Sequence, residues 1–120
     1  MRRHLFPEDP RTVGADPDYR FTLANERTFL AWVRTSLALA AGGLAAVAVL
    51  DELPGEQVLG IGLIVLSFLT SATAYRRWAL NERAMRLDEP LPPSRLPMFI
   101  AAGVAVVAVA SVVMLVADAA

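Results

Sequence analysis

The chain has 120 residues, a formal net charge of −1, no cysteine and 56% hydrophobic residues. Its length allows one domain at most, and its hydrophobic fraction exceeds that of an ordinary soluble domain. The lack of cysteine excludes disulfides, thiolate metal sites and cysteine nucleophiles. The near-neutral charge gives no indication of nucleic-acid binding, and the single histidine, His4, lies in a polar tail. The composition therefore predicts no metal site, no cofactor and no nucleic-acid partner.

The N-terminal segment is polar. Residues 1–15 are rich in proline and charge, which is typical of a disordered tail. Asp16-Pro17 resembles a helix N-cap followed by proline at the first helical position. A helix that starts there either lies along the membrane surface and turns inward at Phe29, or runs straight into the first apolar stretch.

Three apolar stretches follow, at about residues 29–50, 57–75 and 97–117. As helices they are about 28–33 Å long, which matches the roughly 30 Å hydrocarbon core of a bilayer. So short a chain has nothing else against which to bury three such helices. We therefore predict an all-α membrane protein in which residues 16–117 form a domain of three transmembrane helices and residues 118–120 form a short external tail.

The connections between the spans are short. Residues 51–56 contain a Pro-Gly turn, so spans one and two are expected to be antiparallel neighbours. Span two is expected to continue beyond the membrane as a charged helix, which the four prolines of residues 88–97 end. Small residues at four-residue spacing, such as Ala41 and Ala45, allow close helix packing within one subunit or between subunits.

The placement of the basic residues predicts the orientation. All eleven are arginines, and they precede the first span, lie near its start or fall between the second and third spans. The 51–56 connection has three acidic residues and no basic one. The positive-inside rule therefore predicts a cytoplasmic N-terminus and a C-terminus on the far side.

The arginines also show a period. Arg20, Arg27 and Arg34 are seven residues apart, and Arg76 and Arg83 repeat this spacing. On an α-helix a step of seven falls only about 20° short of alignment, so the first three form a nearly straight row. Such a row at a pore mouth attracts anions, phosphates in particular. The pattern indicates anion-binding or pore-lining roles for Arg20, Arg27, Arg34 and Arg83.

A structural interpretation of the same arginines stays open. Arg20, Arg76, Arg77 and Arg86 lie near a membrane border, where arginines commonly pair with anionic headgroups. Arg34 differs because it lies five residues into the first span. At a helix centre it costs about 2.5–3.5 kcal/mol, and less where it reaches the interface.

Two glutamates complete the set of candidate residues. Glu26 and Glu82 each precede an arginine and are expected to pair with arginines of a neighbouring helix. They lie in the similar fragments LANER (23–27) and ALNER (79–83), a likeness too short to indicate a repeat, which we interpret as coincidence. The hydroxyl residues of the spans have no histidine or buried carboxylate to activate them, so no enzymatic activity is predicted.

The stretch LANERTFLAWVRTSLALAAGG (23–43) resembles the signature of the YidH-like family of small bacterial inner-membrane proteins, domain of unknown function 202. The resemblance covers about residues 17–117 and implies a multi-pass protein of the bacterial cytoplasmic (inner) membrane. The stretch also resembles the membrane domain of the eukaryotic vacuolar transporter chaperone complex, which makes polyphosphate and moves it across a membrane. In that domain several copies of a three-helix unit surround a channel lined by basic residues.

This second resemblance implies a homo-oligomer that passes phosphate or polyphosphate. It places Arg20 and Arg27 at channel-lining positions, Glu26 in a neighbouring ionic contact, and Arg83 in a basic region after the second helix. The chain departs from the eukaryotic pattern by the base at Arg34 and by lacking an attached polymerase domain. Synthesis is therefore not implied.

Two functions remain open on the sequence alone. One is a homo-oligomeric channel subunit that passes anions through an arginine-lined cytoplasmic entrance. The other is a structural or adaptor protein without transport, whose arginines bind anionic lipid headgroups of the bilayer or a partner protein.

Overall fold

The computed structural model describes residues 8–49 and 51–119. Within these ranges there is one short 3-10 helix, Pro10–Thr12, there is no strand, and there are three α-helices: α1 (Tyr19–Val49), α2 (Glu56–Arg86) and α3 (Leu96–Ala119). Each α-helix is long and apolar enough to cross a membrane. The prediction of an all-α protein with three transmembrane helices is confirmed, and the direction in which they cross stays a prediction.

The first helix is continuous. The backbone N–H of Arg20 donates to the Asp18 carboxylate at 2.9 Å, so Asp18 caps α1 in place of the predicted Asp16. Its 31 residues make a rod of about 46 Å, well beyond the roughly 30 Å apolar core. Of the two alternatives for residues 17–28, the structure agrees with the extension, because the helix runs unbroken from Tyr19 into the first span.

Close packing joins α1 to α2. A Cβ atom added at Gly43 would lie 2.7 Å from the carbonyl oxygen of Gly60, so the two backbones touch there. Two turns away, the Ser36 hydroxyl donates to the Ser67 carbonyl at 2.8 Å and the Ser67 hydroxyl donates to the Ser36 carbonyl at 2.7 Å. The partners fall in number on α2 as they rise on α1, so the helices are antiparallel, as predicted from the short connection.

The pairing continues outward through amide side chains. Asn25 Nδ2 donates to the backbone oxygen of Trp78 at 3.0 Å, and Asn81 Nδ2 donates to Asn25 Oδ1 at 3.4 Å. The two similar fragments, 23–27 and 79–83, therefore face each other across the helix pair. Their likeness, which we interpreted as coincidence, places one asparagine of each fragment in a shared contact.

The third helix is held less tightly. Its backbone approaches α2 and not α1. Leu96 and Ile100 are buried in a small cluster with Ala74 of α2, and a Cβ atom on Gly103 would lie 2.8 Å from Leu66 Cδ2. Most of the remaining surface of α3 is exposed and apolar, as suits a helix that faces lipid.

A tight cap ends α2 and directs the chain back toward α3. Asp88 adopts a left-handed conformation with φ 54, and the backbone N–H of Glu89 donates to the Ala84 carbonyl at 2.9 Å. This is the Schellman arrangement, in which glycine or asparagine usually occupies the left-handed position. The prolines of the connection then lead to Ser94, whose hydroxyl accepts from the Leu96 N–H at 3.2 Å and so caps the start of α3.

Candidate functional site

The start of α1, the end of α2 and the start of α3 lie at the same end of the unit, which we call the arginine-rich end. Residues 8–18 pack there as well. All arginines that the structure describes belong to this half of the molecule: Arg11, Arg20, Arg27, Arg34, Arg76, Arg77, Arg83, Arg86 and Arg95.

The arginines of α1 point away from α2. Asn25 and Ser36 are buried against α2, and a helix turns about 100° per residue, so Arg27 and Arg34 lie roughly 160–180° from that buried face. Both are exposed, and neither makes an ion pair with any residue that the structure describes. They form the outer face of the helix pair on the α1 side, which we call the α1 outer face.

Arg20 continues this row but is partly neutralised. Its guanidinium lies 3.0 Å from the Asp18 carboxylate. The hydrogen bonds from Arg20 hold the pKa of Asp18 below its ordinary value, so the pair stays charged at neutral pH. Arg27 and Arg34 therefore carry the free positive charge of the row.

Small residues continue the α1 outer face deeper along the helix. Ala38, Ala41 and Ala45 follow Arg34 at helical spacing and are exposed. Leu37 and Leu44, beside them on the same side, are 65% exposed. The α1 outer face thus combines arginines at one end with a shallow alanine surface that no described part of the chain covers.

The second arginine ladder lies elsewhere. Ser67 faces α1, and Arg76 and Arg83 lie roughly 160–180° around α2 from it, so they point away from α1. Both are exposed. One subunit therefore does not bring Arg83 together with the α1 row, and the two ladders occupy opposite sides of the α1–α2 pair.

The predicted glutamates differ from each other. Glu82 is 2% exposed. It accepts a hydrogen bond from the Thr22 hydroxyl of α1 at 3.4 Å, and its ion pair is with Arg86 of its own helix at 3.5 Å instead of with an α1 arginine. Glu26 is exposed beside Trp78 at the rim of an apolar groove and makes no ion pair among the described residues.

Arg86, which the sequence placed among the arginines that pair with headgroups, has a different role in the structure. Its side chain is 11% exposed, and the guanidinium binds the Asp16 carboxylate at 2.9 Å and the backbone oxygen of Arg11 at 3.3 Å. The Arg86 carbonyl accepts from the Ala15 N–H at 3.2 Å. Arg86 therefore holds the N-terminal segment against α2 and does not face lipid headgroups. The four-residue spacing to Glu82 was the available signal.

This contact changes the interpretation of the tail. Residues 1–7 lie outside the described part, but residues 8–15, expected to be disordered, include the 3-10 helix and the buried Pro10. A Cβ atom on Gly14 would lie 2.3 Å from the Arg86 carbonyl oxygen, so only glycine fits. We call residues 8–18 the N-terminal strap.

The buried charges under the strap are incompletely paired. Glu82 Oε2 and Arg86 Nε are both buried without a hydrogen-bond partner among the described residues. The 3.5 Å separation of Arg86 Nε from Glu82 Oε1 is an ion pair of poor hydrogen-bond geometry. The two charges stabilise each other mainly by proximity. Loss of Arg86 leaves the Glu82 carboxylate buried without an ion-pair partner among the described residues, whereas loss of Glu82 leaves Arg86 its contact with Asp16.

Comparison with known proteins gives consistent results. The family described as Domain of unknown function (DUF202) matches residues 20–84. Uncharacterized protein Rv2272 of Mycobacterium tuberculosis is 50% identical over 110 residues, which cover 89% of this chain and 90% of that protein. Inner membrane protein YidH of Escherichia coli is 42% identical over 104 residues, which cover 81% and 87%. No solved structure matches the chain significantly.

The family match covers α1 and nearly all of α2, which include the α1 arginine row, the serine contacts and Glu82. The name of the Escherichia coli relative agrees with the three apolar helices seen here. The chain is a membrane protein that belongs to the DUF202 family of YidH-like proteins.

Proposed function

We propose that copies of this chain assemble in the inner membrane into a homo-oligomer whose α1 outer faces surround an entrance for anions of the phosphate class, polyphosphate included. One observation carries the proposal. Arg27 and Arg34 are exposed on the side of α1 opposite α2 and have no counter-ion among the described residues.

The free-energy cost of placing a charge in lipid supports an assembly in which the arginine row of α1 faces the shared axis and not the lipid. An arginine at the centre of a membrane helix costs about 2.5–3.5 kcal/mol, and such residues usually face a bundle interior or a water-filled cavity. Arg34 lies five residues beyond Phe29, where the predicted first span begins, about 7.5 Å along the helix. An aqueous axis shared by several copies supplies both water and anionic partners at that depth.

The alanine surface below the arginines supports contact between copies. Ala38, Ala41 and Ala45 let a second helix approach closely, which is the basis of helix association in membranes. In the proposed assembly the space between the copies is narrowest at the alanines and widens toward Arg27 and Arg34. The guanidinium groups then form rings of positive charge at the arginine-rich end, on the predicted cytoplasmic side.

Guanidinium chemistry supports phosphate as the anion. Arginine presents a planar fork of donors that binds two phosphate oxygens at once, and it keeps its charge at any physiological pH. Steps of seven residues place successive arginines about 10.5 Å apart, so a chain of linked phosphates contacts several of them together. Arg83 is outside this proposal because it lies on the other side of the pair.

The test is flux of phosphate and of short polyphosphate into liposomes that contain the purified protein. Arg27→Gln should lower the flux at least about tenfold, the effect of removing one charged hydrogen-bonding group from a binding site. Arg11→Gln is the matched control, because it removes one exposed arginine of the strap that lies outside the row. Equal flux for Arg27→Gln and the unsubstituted protein would refute the proposal.

The alternative function is a non-transporting adaptor whose arginines bind headgroups or a partner protein. Its support is the exposed set Arg76, Arg83 and Arg95 on the α2 and α3 side, which the anion entrance does not use. Flux no greater than that of protein-free liposomes, together with a monomer in nanodiscs, would favour this alternative.

A further inference from the structure

A second group of arginines surrounds a cavity far from the α1 outer face. Arg76 and Arg77 of α2 and Arg95, just before α3, line a cavity of about 520 Å³ with Ser94. None of these three arginines makes an ion pair with a residue that the structure describes. Three arginines therefore line one space whose lining includes no carboxylate.

The wall opposite α2 is stiff. Pro92 and Pro93 line the same cavity, between the end of α2 and the start of α3. Proline restricts the backbone, and Ser94 is held by its cap to Leu96. The backbone of Arg95 thus lies in a rigid turn, so ligand binding loses little backbone freedom there and orders mainly the side chain.

An apolar groove continues from the polar cavity along the membrane part of α2 and α3. It has a volume of about 300 Å³ and includes Leu66, Leu69 and Ile100. Thr73 and Phe99 line both spaces. The surface between α2 and α3 therefore changes from polar in the cavity, which the three arginines line, to apolar in the groove, which leucine and isoleucine line.

We propose that this cavity and groove bind one anionic phospholipid, with its phosphate on Arg76, Arg77 and Arg95 and an acyl chain along the groove between α2 and α3. The proposal does not depend on the anion entrance, because none of its residues lies on the α1 outer face.

Charge and shape argue for a lipid in place of a free anion. Each guanidinium supplies charge-assisted donors to phosphate oxygens, and arginines at a membrane border gain further from anionic headgroups. A free phosphate uses the polar cavity and leaves the adjoining groove unfilled. A phospholipid fills both, and it covers the side of α3 that α2 contacts only loosely.

The experiment measures lipid binding to the detergent-solubilised full chain by native mass spectrometry. The probes are dioleoyl phosphatidylglycerol, dioleoyl phosphatidylcholine with the same chains, and inorganic phosphate as a competitor. We expect one phosphatidylglycerol per chain, bound at least about tenfold more tightly than phosphatidylcholine, in line with three headgroup contacts. Inorganic phosphate at equal concentration should not displace it.

Matched variants localise the site. Arg76→Gln with Arg95→Gln alters two exposed side chains and should weaken phosphatidylglycerol binding about tenfold or more. Arg83→Gln removes one exposed charge of α2 that lines neither space and should leave binding within about twofold. Leu69→Ala shortens the groove and should weaken dioleoyl lipid more than dihexanoyl lipid. Circular dichroism checks that each variant keeps its helices.

Several results would overturn the proposal. Equal binding of phosphatidylglycerol and phosphatidylcholine would show that the arginines do not select charge. Displacement by inorganic phosphate would show a free-anion site. An equal loss in Arg83→Gln and the double variant would show a diffuse effect of net charge. If the double variant loses its helices, Leu69→Ala still tests the proposal. An equal loss of dioleoyl and dihexanoyl lipid binding in that variant would contradict an acyl chain in the groove.

Discussion

Gly60→Ala tests the contact on which the α1–α2 pair depends. An added Cβ atom at this position would lie 2.5 Å from Val47 Cγ2 and 2.8 Å from the Gly43 carbonyl oxygen. The valine methyl has some freedom to turn away, but the carbonyl belongs to the backbone of α1. The two helices must therefore separate by several tenths of an ångström to restore ordinary contact at 3.4 Å or more.

The expected cost follows from this displacement. Overfilling a well-packed contact costs about 1–3 kcal/mol, and separation also strains the reciprocal Ser36–Ser67 hydrogen bonds, each about 0.6 kcal/mol inside a membrane. Alanine in a helix gains up to about 1 kcal/mol over glycine, which partly masks the loss. Gly62→Ala on the same helix has the same propensity gain, and its Cβ atom meets nothing within 4 Å.

The assay is reversible unfolding in mixed micelles with rising dodecyl sulfate, followed by the fluorescence of Trp32 and Trp78. We expect Gly60→Ala to be less stable than Gly62→Ala by about 1–3 kcal/mol, because the propensity gain cancels in the comparison. Equal stability, or greater stability of Gly60→Ala, would refute the close backbone contact.

Three further predictions concern polar groups. Ser36→Ala should lower the free energy of unfolding by about 1 kcal/mol. Adding Ser67→Ala should lower it by less than a further 1 kcal/mol, because the two hydroxyls share one contact. Arg86→Met should leave Glu82 buried alone and cost about 3–5 kcal/mol, with Glu82→Gln restoring part of it. The pKa of Asp18 is lower in the folded protein than in the unfolded chain, where it is about 4. The charged cap therefore contributes its full stability above that pH, and this stability is lost as the pH falls through the folded pKa.

Each of these has its own measurement. Micelle unfolding reports the serine variants, and strictly additive losses would contradict a shared contact. Hydrogen exchange of residues 8–16 reports the arginine variant, since release of the strap should expose these amides; unchanged protection would contradict the role of Arg86. Exchange at the first amides of α1, compared between pH 6 and pH 3, reports the cap. Asp18→Asn, which keeps an acceptor without titrating, should remove this pH dependence.

The transmembrane architecture could be predicted because it depends on local properties. Apolar length alone distinguishes membrane helices, and one short turn makes two of them antiparallel neighbours. Whether residues 17–28 lie on the membrane surface or continue the first span could not be decided, because the local sequence suits a helix in either place. The predicted cap at Asp16 was wrong: Asp16 binds Arg86, a residue distant in the sequence, and Asp18 caps α1.

The surroundings of individual charges were less accessible to sequence reasoning. A helix rich in arginine and glutamate past a membrane border is ordinarily exposed to solvent. The composition of this segment therefore did not indicate that Glu82 and Arg86 are buried. The strap covers Arg86, and Glu82 lies against α1, where Thr22 donates to it. The period of Arg20, Arg27 and Arg34 was visible, but only the position of α2 shows that the row faces away from it.

In the proposed assembly the α1 outer face is a surface between copies. Because the chain has no cysteine, a single introduced cysteine is unique, and Ala41→Cys places it on that face. Val112→Cys, on the exposed surface of α3, is the control. In native membranes a short bismaleimide should link Ala41→Cys into dimers and leave Val112→Cys monomeric. A monomeric Ala41→Cys that still reacts with a monofunctional maleimide would contradict the account.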